Sequence, residues 1–411
     1  MEKARPVHAP MSQFPSRDGC LLVGGVPLPL LSARAGGTPF YAYDRGLIAD
    51  RIAGLKDALP EAVHLHYAIK ANPMPAVVDY ISARTNGLDV ASLGELQLAM
   101  DTGIEPDHIS FAGPGKTDME LRAATACGVI VNAESEGEIE RLAAIGNELG
   151  IRPALSIRVN PDFELKSSGM KMGGGAKPFG IDAERIPAAL KKVESLDLDW
   201  RGFHIFSGSQ NLRQEAIIEA QKKTLDLACR LADHASTPLR WLNMGGGFGI
   251  PYFPGDTRLD LKPISEHLFE LTGILKRRLP EATPVIELGR YLVGESGIYV
   301  CEVVDRKESR GEIFLVTNGG LHHHLAASGN FGQVIRKNYP VAIGTRMNES
   351  RTETVNIVGP LCTPLDIIAA KVDLPRARTG DLIVVFQSGA YGLSASPQYF
   401  LSHPAIREML V

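Results

Sequence analysis

Between residue 44 and about residue 290, short apolar runs alternate with amphipathic segments of helix length. The runs fall at 64–70 (HLHYAIK), 87–92 (GLDVAS), 109–113 (ISFAG), 129–134 (VIVNAE), 154–160 (LSIRVN at its core), 202–208 (GFHIFSG), 239–245 (LRWLNMG) and 283–289 (TPVIELG). Such runs, each followed by a helix, predict a parallel sheet wrapped by helices, an α/β fold. Eight of them in roughly 250 residues match a (β/α)8 barrel of the TIM type. A doubly wound open sheet is the alternative. Past 290 the pattern becomes β-rich, with SGIYVCEVVDR, EIFLVTNGG, TETVNIVG and GDLIVVFQSGAYG separated by turns. The first 43 residues also read as short strands and turns. The expected organisation is therefore a barrel over 44–290 and a mostly-β domain built from 1–43 and 291–411.

Composition narrows the chemistry. A chain of 411 residues with 44% apolar content can bury a large core. Its net charge of -4 and pI near 6.3 leave no basic excess to follow a phosphate backbone, so no nucleic-acid partner is expected. No run approaches the roughly 18 apolar residues of a membrane span, and MEKARPVHAPMSQFPSRDGC lacks an apolar signal core, so a cytoplasmic protein is expected. The five cysteines, Cys20, Cys127, Cys229, Cys301 and Cys362, are scattered and never form a CxxC pair. Neither a disulfide framework nor a zinc knuckle follows from them.

A barrel of this kind builds its active site at the C-terminal ends of its strands. Those ends carry Lys70, Asp89, Asn132, Arg158 with Asn160, the turn Ser207-Gly208-Ser209, the run Gly245-Gly246-Gly247, and Glu287 with Arg290. Glycines without Cβ let the backbone N–H groups approach a phosphate, which GGGFG at 245–249 provides. That run is no dinucleotide fingerprint, because IPYFPGD follows it instead of a helix. FAGPGKT at 111–117 imitates the end of a Walker A loop, but Ser110 stands where its first glycine belongs. Phosphate-cradling glycines, a strand-end lysine and a strand-end carboxylate together suggest pyridoxal phosphate. The lysine forms a Schiff base, the glycines hold the phosphate, and the carboxylate keeps the ring nitrogen protonated. Each residue has a plainer reading: Lys70 as a solvated lysine, Glu287 as a salt-bridge partner of Arg290, His204 as an ordinary buried histidine. Their common placement at strand ends favours the site.

The motifs YAIKAN (Lys70), LDVASLGEL (Asp89), KPFGI, GFHIFSGSQ, MGGGFG, ELGR (Glu287, Arg290), GPLC (Cys362) and GAYG (Tyr391) occur in that order. With them the chain resembles, from about residue 38 to 411, the fold-type III pyridoxal-phosphate decarboxylases, the family of diaminopimelate, ornithine and arginine decarboxylases. The resemblance implies an alanine-racemase-like architecture, with Lys70 as the Schiff-base lysine. Ser209, Gly245, Gly246, Gly247, Arg290 and Tyr391 would hold the phosphate. Glu287 would meet the pyridine nitrogen, Asp89 would support the lysine side of the cofactor, and His204 would lie in the cofactor site. Cys362 would reach across a homodimer with shared active sites to protonate Cα, and Arg158, Thr363 and Asp366 become candidates for substrate contact.

Three departures bear on substrate. Phe206 stands where the family usually stacks a histidine on the cofactor ring; it can stack but cannot donate a proton. Asn243 replaces a usual aspartate and Leu288 a usual proline. In diamine-forming relatives the residue after the cysteine is acidic, whereas here it is Thr363, which argues against a substrate with a distal ammonium. Asp366 is the nearby candidate to compensate. The segment 318–340 (NGGLHHHLAASGNFGQVIRKNYP) resembles a branch associated with exopolysaccharide (exosortase) gene clusters and secondary-metabolite pathways, in which related enzymes act on aminoacyl groups tethered to a carrier protein. Arg336 and Lys337 are candidates to meet the phosphate of a pantetheine arm. His322, His323 and His324 would sit on a strand, where alternation leaves at most a pair on one face, so no metal is expected. The expected reaction is α-decarboxylation of an amino acid or carrier-bound aminoacyl substrate. The rivals are an alanine-racemase-like activity, which would set an arginine where Glu287 stands, and a silent homologue that regulates a partner protein.

Overall fold

A computed structural model describes residues 6–164, 170–171 and 173–411. The first five residues of the expected β domain, and residues 165–169 and 172 of the expected barrel, lie outside the described residues. The chain divides into two compact units. One comprises Arg51–Ile250 and Leu259–Leu292; the other comprises Met1–Asp50, Pro251–Arg258 and Val293–Val411.

The first unit is a closed barrel of parallel strands: β1 His64–Ala68, β2 Gly87–Val90, β3 Ile109–Phe111, β4 Ile130–Ala133, β5 Ala154–Asn160, β6 Asp199–His204, β7 Trp241–Gly246 and β8 Thr283–Leu288. Each strand pairs with the next in sequence, and β8 pairs with β1 through Val285↔His64 and Glu287↔His66. That closure excludes the doubly wound alternative. Helices cross back between strands, and their starts follow ordinary capping chemistry. Ser92, Thr117 and Ser135 each accept the N–H of the residue three positions on, and Thr117 with Glu120 forms a full capping box. Ile109, Phe111, Val131, Leu155, Ile157 and Leu242 are fully buried apolar residues. The residues that alternate with them, Ser110, Asn132, Ser156 and Asn243, are fully buried too, yet polar. By the two-residue period these line the barrel interior. Below them Ile130, Trp241 and Val285 form an apolar layer with Ala154.

The second unit is a β structure. Its main sheet joins Phe40–Tyr43, Gly297–Ser309, Glu312–Thr317, Val341–Ile343, Glu353–Val358, Ile367–Leu374, Leu382–Val385 and Arg407–Leu410. Its core includes Phe14, Leu21, Leu28, Phe40, Val300, Val384 and Phe386. The N-terminal region, read from sequence as strands and turns, also contains a helix, Leu28–Ala35. A proline in its first turn and the left-handed Gly36 at its end delimit it, while Leu28 and Leu31 bury one face.

Candidate active site

Strand β1 ends at Ala68 and passes into a single 3-10 turn, Ile69–Ala71, which projects Lys70. Gly289, at the end of β8, packs so closely on this turn that a Cβ there would lie 2.8 Å from the Cβ of Ala71. The ELGR and YAIKAN motifs are thereby brought side by side. Lys70 Nζ lies 3.3 Å from Glu287 Oε1, and His204 Nε2 lies 3.3 Å from Oε2 of the same carboxylate. Burial pushes the Glu287 carboxyl up, but the charges of Lys70, His204 and Arg158 outweigh it and hold the group well below the usual carboxylate range. Glu287 is therefore an anion sitting in a buried site.

The glycine run ends β7. Gly245 and Gly247 have φ of 65° and 73°, in the left-handed region, and Asn243 Oδ1 accepts the Gly245 N–H at 2.8 Å to pin the turn. No Cβ fits here. At Gly246 it would stand 2.2 Å from the Glu287 carbonyl oxygen, at Gly247 2.3 Å from that of Gly208, and at Gly245 2.5 Å from the Phe206 ring. Phe206 thus lies against the glycine run, and Gly208–Ser209 follows on the same loop, paired in backbone register with Met170–Lys171. The run opens no helix; the next one starts at Lys262.

Asp89, at the end of β2, is buried, and its two oxygens differ. Oδ1 accepts the Ser110 hydroxyl and lies 3.5 Å from His66 Nδ1, whereas Oδ2 is buried without a hydrogen-bond partner. Arg158 is not an open cation. Its guanidinium donates to Glu134 at 2.8 Å and lies over the Phe179 ring, while Glu134 also accepts the Gly113 and Gly180 N–H groups. Burial raises the Glu134 carboxyl, but Arg158 and Lys116 bring it below its ordinary value. Arg290 opens the short helix Arg290–Val293 after β8.

The remaining candidates, Cys362, Thr363, Asp366 and Tyr391, belong to the β unit. Cys362 is exposed. Tyr391 holds a positive φ of 52°, uncommon for a non-glycine residue. Asp366 corrects the expectation placed on it: it is buried, and its oxygens accept the N–H groups of Leu321 at 2.6 Å and Leu361 at 2.9 Å. It ties two loops together instead of facing a substrate. Arg336 donates to the Ile367 carbonyl at 2.7 Å and Lys337 lies over Phe253. His322, His323 and His324 lie in a turn, not the expected strand, so the alternation argument does not apply to them. Among the described residues no group of three or more His, Cys, Asp or Glu is arranged to hold a metal ion. Among them, too, no helix is long and apolar enough to cross a membrane.

Sequence reasoning missed several residues. Lys116, of the Walker-like decoy, is buried, 2.8 Å from Glu138, and donates to the carbonyls of Gly113 and Asn132. Glu95, whose S-x-x-E spacing from Ser92 signals only a helix cap, accepts the Ala91 N–H; burial raises its carboxyl while that bond and the charge of Lys70 lower it. His66 gave no signal beyond its place in an apolar run.

These residues fit pyridoxal phosphate. A glycine cradle that admits no side chain, a buried glutamate anion and an unsatisfied Asp89 oxygen all lie at the strand ends of one barrel. A family model described as the pyridoxal binding domain of pyridoxal-dependent decarboxylases matches residues 45–294. The chain is 38% identical to the L-glutamyl-[BtrI acyl-carrier protein] decarboxylase of Niallia circulans, over 91% of this chain and 88% of that protein. It is 32% identical to the diaminopimelate decarboxylase of Aquifex aeolicus, over 96% and 91% respectively. Among solved structures, Helicobacter pylori diaminopimelate decarboxylase complexed with L-lysine superimposes with a TM-score of 0.82 at 27% identity, covering 93% of this chain and 94% of that one.

Proposed function

Because the chain belongs to the pyridoxal-dependent decarboxylases, with the alanine-racemase-like fold and pyridoxal phosphate as cofactor, we propose that it decarboxylates an aminoacyl group presented on a carrier protein. The observation that carries this reading is at Asp366. Its carboxylate is spent on two backbone amides, and Thr363 follows Cys362, so the GPLC loop offers no carboxylate to a distal ammonium. A buried ammonium without a partner is costly, which disfavours diaminopimelate, lysine and ornithine. The Niallia circulans relative, named for a glutamyl group on an acyl-carrier protein, supports the same direction.

When bound, pyridoxal phosphate supplies a protonated pyridinium ring that takes up the electron pair left as CO2 departs. The chain's residues do the rest. Lys70 would be the residue that holds the cofactor covalently, and its amine, once freed, would be available as a base. Glu287, held ionised, keeps the ring nitrogen protonated. Gly245 to Gly247, Ser209 and Arg290 would hold the phosphate, Phe206 would pack on the ring, and Asp89 would offer its open oxygen to the group. His204 acts through Glu287, and Arg158, paired with Glu134, contributes its charge and not a substrate contact. Cys362 or Lys70 returns a proton to Cα. We place Cys362 in the active site of a second copy. The support is its exposure on the β unit, whose surface also exposes Phe331, Val334, Ile335 and Leu365.

The test is CO2 release from carboxyl-labelled amino acids, free and loaded on a carrier protein. Release from a loaded aminoacyl group at least tenfold faster than from any free amino acid supports the reading. Equal or faster turnover of free diaminopimelate would sink it.

A further inference from the structure

His66 has no place in the reading above, yet it is built into the barrel with care. It is fully buried on β1, two residues before the strand ends, and among the described contacts neither ring nitrogen has a hydrogen-bond partner of good geometry. Packing alone would be served by a phenyl ring of similar size, which carries no buried polar atoms to leave unsatisfied. The fold also makes room for the imidazole: a Cβ on Gly87 would lie 2.1 Å from His66 Cε1 and 2.2 Å from Nε2. Trp241 meets the ring edge-on, with centroids 5.0 Å apart, and fixes its plane. In that plane Nδ1 faces Asp89 Oδ1 at 3.5 Å, a separation that a shift of a few tenths of an ångström by the Asp89 carboxylate turns into a hydrogen bond. Ser110, itself accepting from Asn132 at 3.1 Å, donates to the same oxygen. Both donors therefore converge on Oδ1 and leave Oδ2 buried and unserved.

We propose that His66 is a positioning residue for the cofactor: its Nδ1–H, with the Ser110 hydroxyl, holds Asp89 by one oxygen so that the other is presented in a fixed rotamer to the bound pyridoxal phosphate. The inference rests on the cofactor reading and adds a residue to it. The other titratable groups around the imidazole are His64, on the same strand, and His108, whose carbonyl borders the Gly87 gap. Among the described contacts neither side chain makes a hydrogen bond with Nδ1.

The test is the dissociation constant of pyridoxal phosphate, followed by absorbance, for the native protein, His66→Phe, His66→Gln, Asp89→Asn and the double variant His66→Phe/Asp89→Asn. His66→Phe is expected to bind at least tenfold more weakly while its cofactor-free melting temperature stays level or rises. His66→Gln, which keeps an N–H donor, should return to within about threefold of native. In the Asp89→Asn background the His66→Phe change should alter binding less than twofold, because its effect runs through that carboxylate. An undiminished loss in that background, or a His66→Phe protein that binds like the native one, overturns the proposal. NMR of the 15N-histidine-labelled, cofactor-free protein decides the pair even if His66→Phe fails to fold. A proton on His66 Nδ1 that shifts in Asp89→Asn supports it, and one residing on Nε2 refutes it. Failure of the native protein to take up pyridoxal phosphate would count against the cofactor reading and leave the NMR result to judge the His66–Asp89 pair.

Discussion

The barrel and the β unit both bury many polar groups, and they spend them differently. In the barrel, side chains meet side chains at the strand ends: Lys70 with Glu287, Arg158 with Glu134, Lys116 with Glu138. Several atoms there are left over, among them Asp89 Oδ2 and the Nδ1 of His204. In the β unit, buried polar side chains mostly close on the chain's own backbone. Asp366 takes two amides, Tyr41 donates to the His323 carbonyl, Thr317 donates to that of Gly319, and His324 accepts the Ala327 N–H. Spent groups mark scaffold, and unspent ones mark where a ligand completes the structure. His322 is one exception among the described residues, with both ring nitrogens buried and unpartnered. It follows Leu321 as Cys362 follows Leu361, and both leucine amides bind Asp366, so this unspent group lies beside the cysteine loop.

The largest effect that would sharpen this contrast is at Lys70. Lys70→Ala should lose the visible absorbance band that borohydride bleaches and at least 1000-fold in CO2 release, on the order of 4 kcal/mol of barrier. Retention of the band in the variant would break the assignment. Glu287→Gln should keep the cofactor but lower kcat by about 100-fold, or roughly 2.7 kcal/mol, since a neutral partner cannot hold the ring nitrogen protonated. An unchanged kcat would move the electron-sink role elsewhere.

Two smaller effects belong to the β unit and should appear in stability rather than in chemistry. Burial lowers the imidazoles of His323 and His324 to about 3. The unfolded chain, with histidines near 6.5, then binds more protons between those values, so stability falls as pH drops from 6.5 toward 3. Between pH 7 and pH 5 the loss should be on the order of 2 kcal/mol per histidine, read from denaturant titrations at each pH; a flat profile would mean that these rings do not stay neutral in the fold. Asp366→Asn replaces one acceptor oxygen with a donor facing a backbone N–H, at a cost of about 1–2 kcal/mol by the same titrations. A barrel-like result, with stability unchanged and only turnover affected, would return Asp366 to the substrate side.

Much of this was legible in the sequence for a physical reason. Strands buried on both faces leave unbroken apolar runs, and all eight barrel strands were readable that way; the motifs of Lys70, Asp89, the glycines and Glu287 are local too. Illegible were pairings between separate strand ends, such as Lys116 with Glu138 or Arg158 with Glu134, which exist only once the barrel closes. Asp366 was misjudged because its sequence position shows nearness to Cys362 but not the direction of its carboxylate. The helix Leu28–Ala35 was hidden because Pro27, Pro29 and the Gly36-Gly37 pair that follows it read first as turns.

One pairing in the β sheet has a consequence for how the protein is made. Phe40–Tyr43 lies between Gly297–Val300 and Arg407–Leu410, with Phe40 opposite Arg407 and Tyr43 opposite Leu410. A ribosome working at about 5–20 residues per second needs roughly 20–70 s to cover the intervening chain. An aromatic segment, FYAY, has neither neighbour until Gly297–Val300 is made and lacks the second for the whole interval, which makes the nascent chain a client for chaperones long before it is an enzyme.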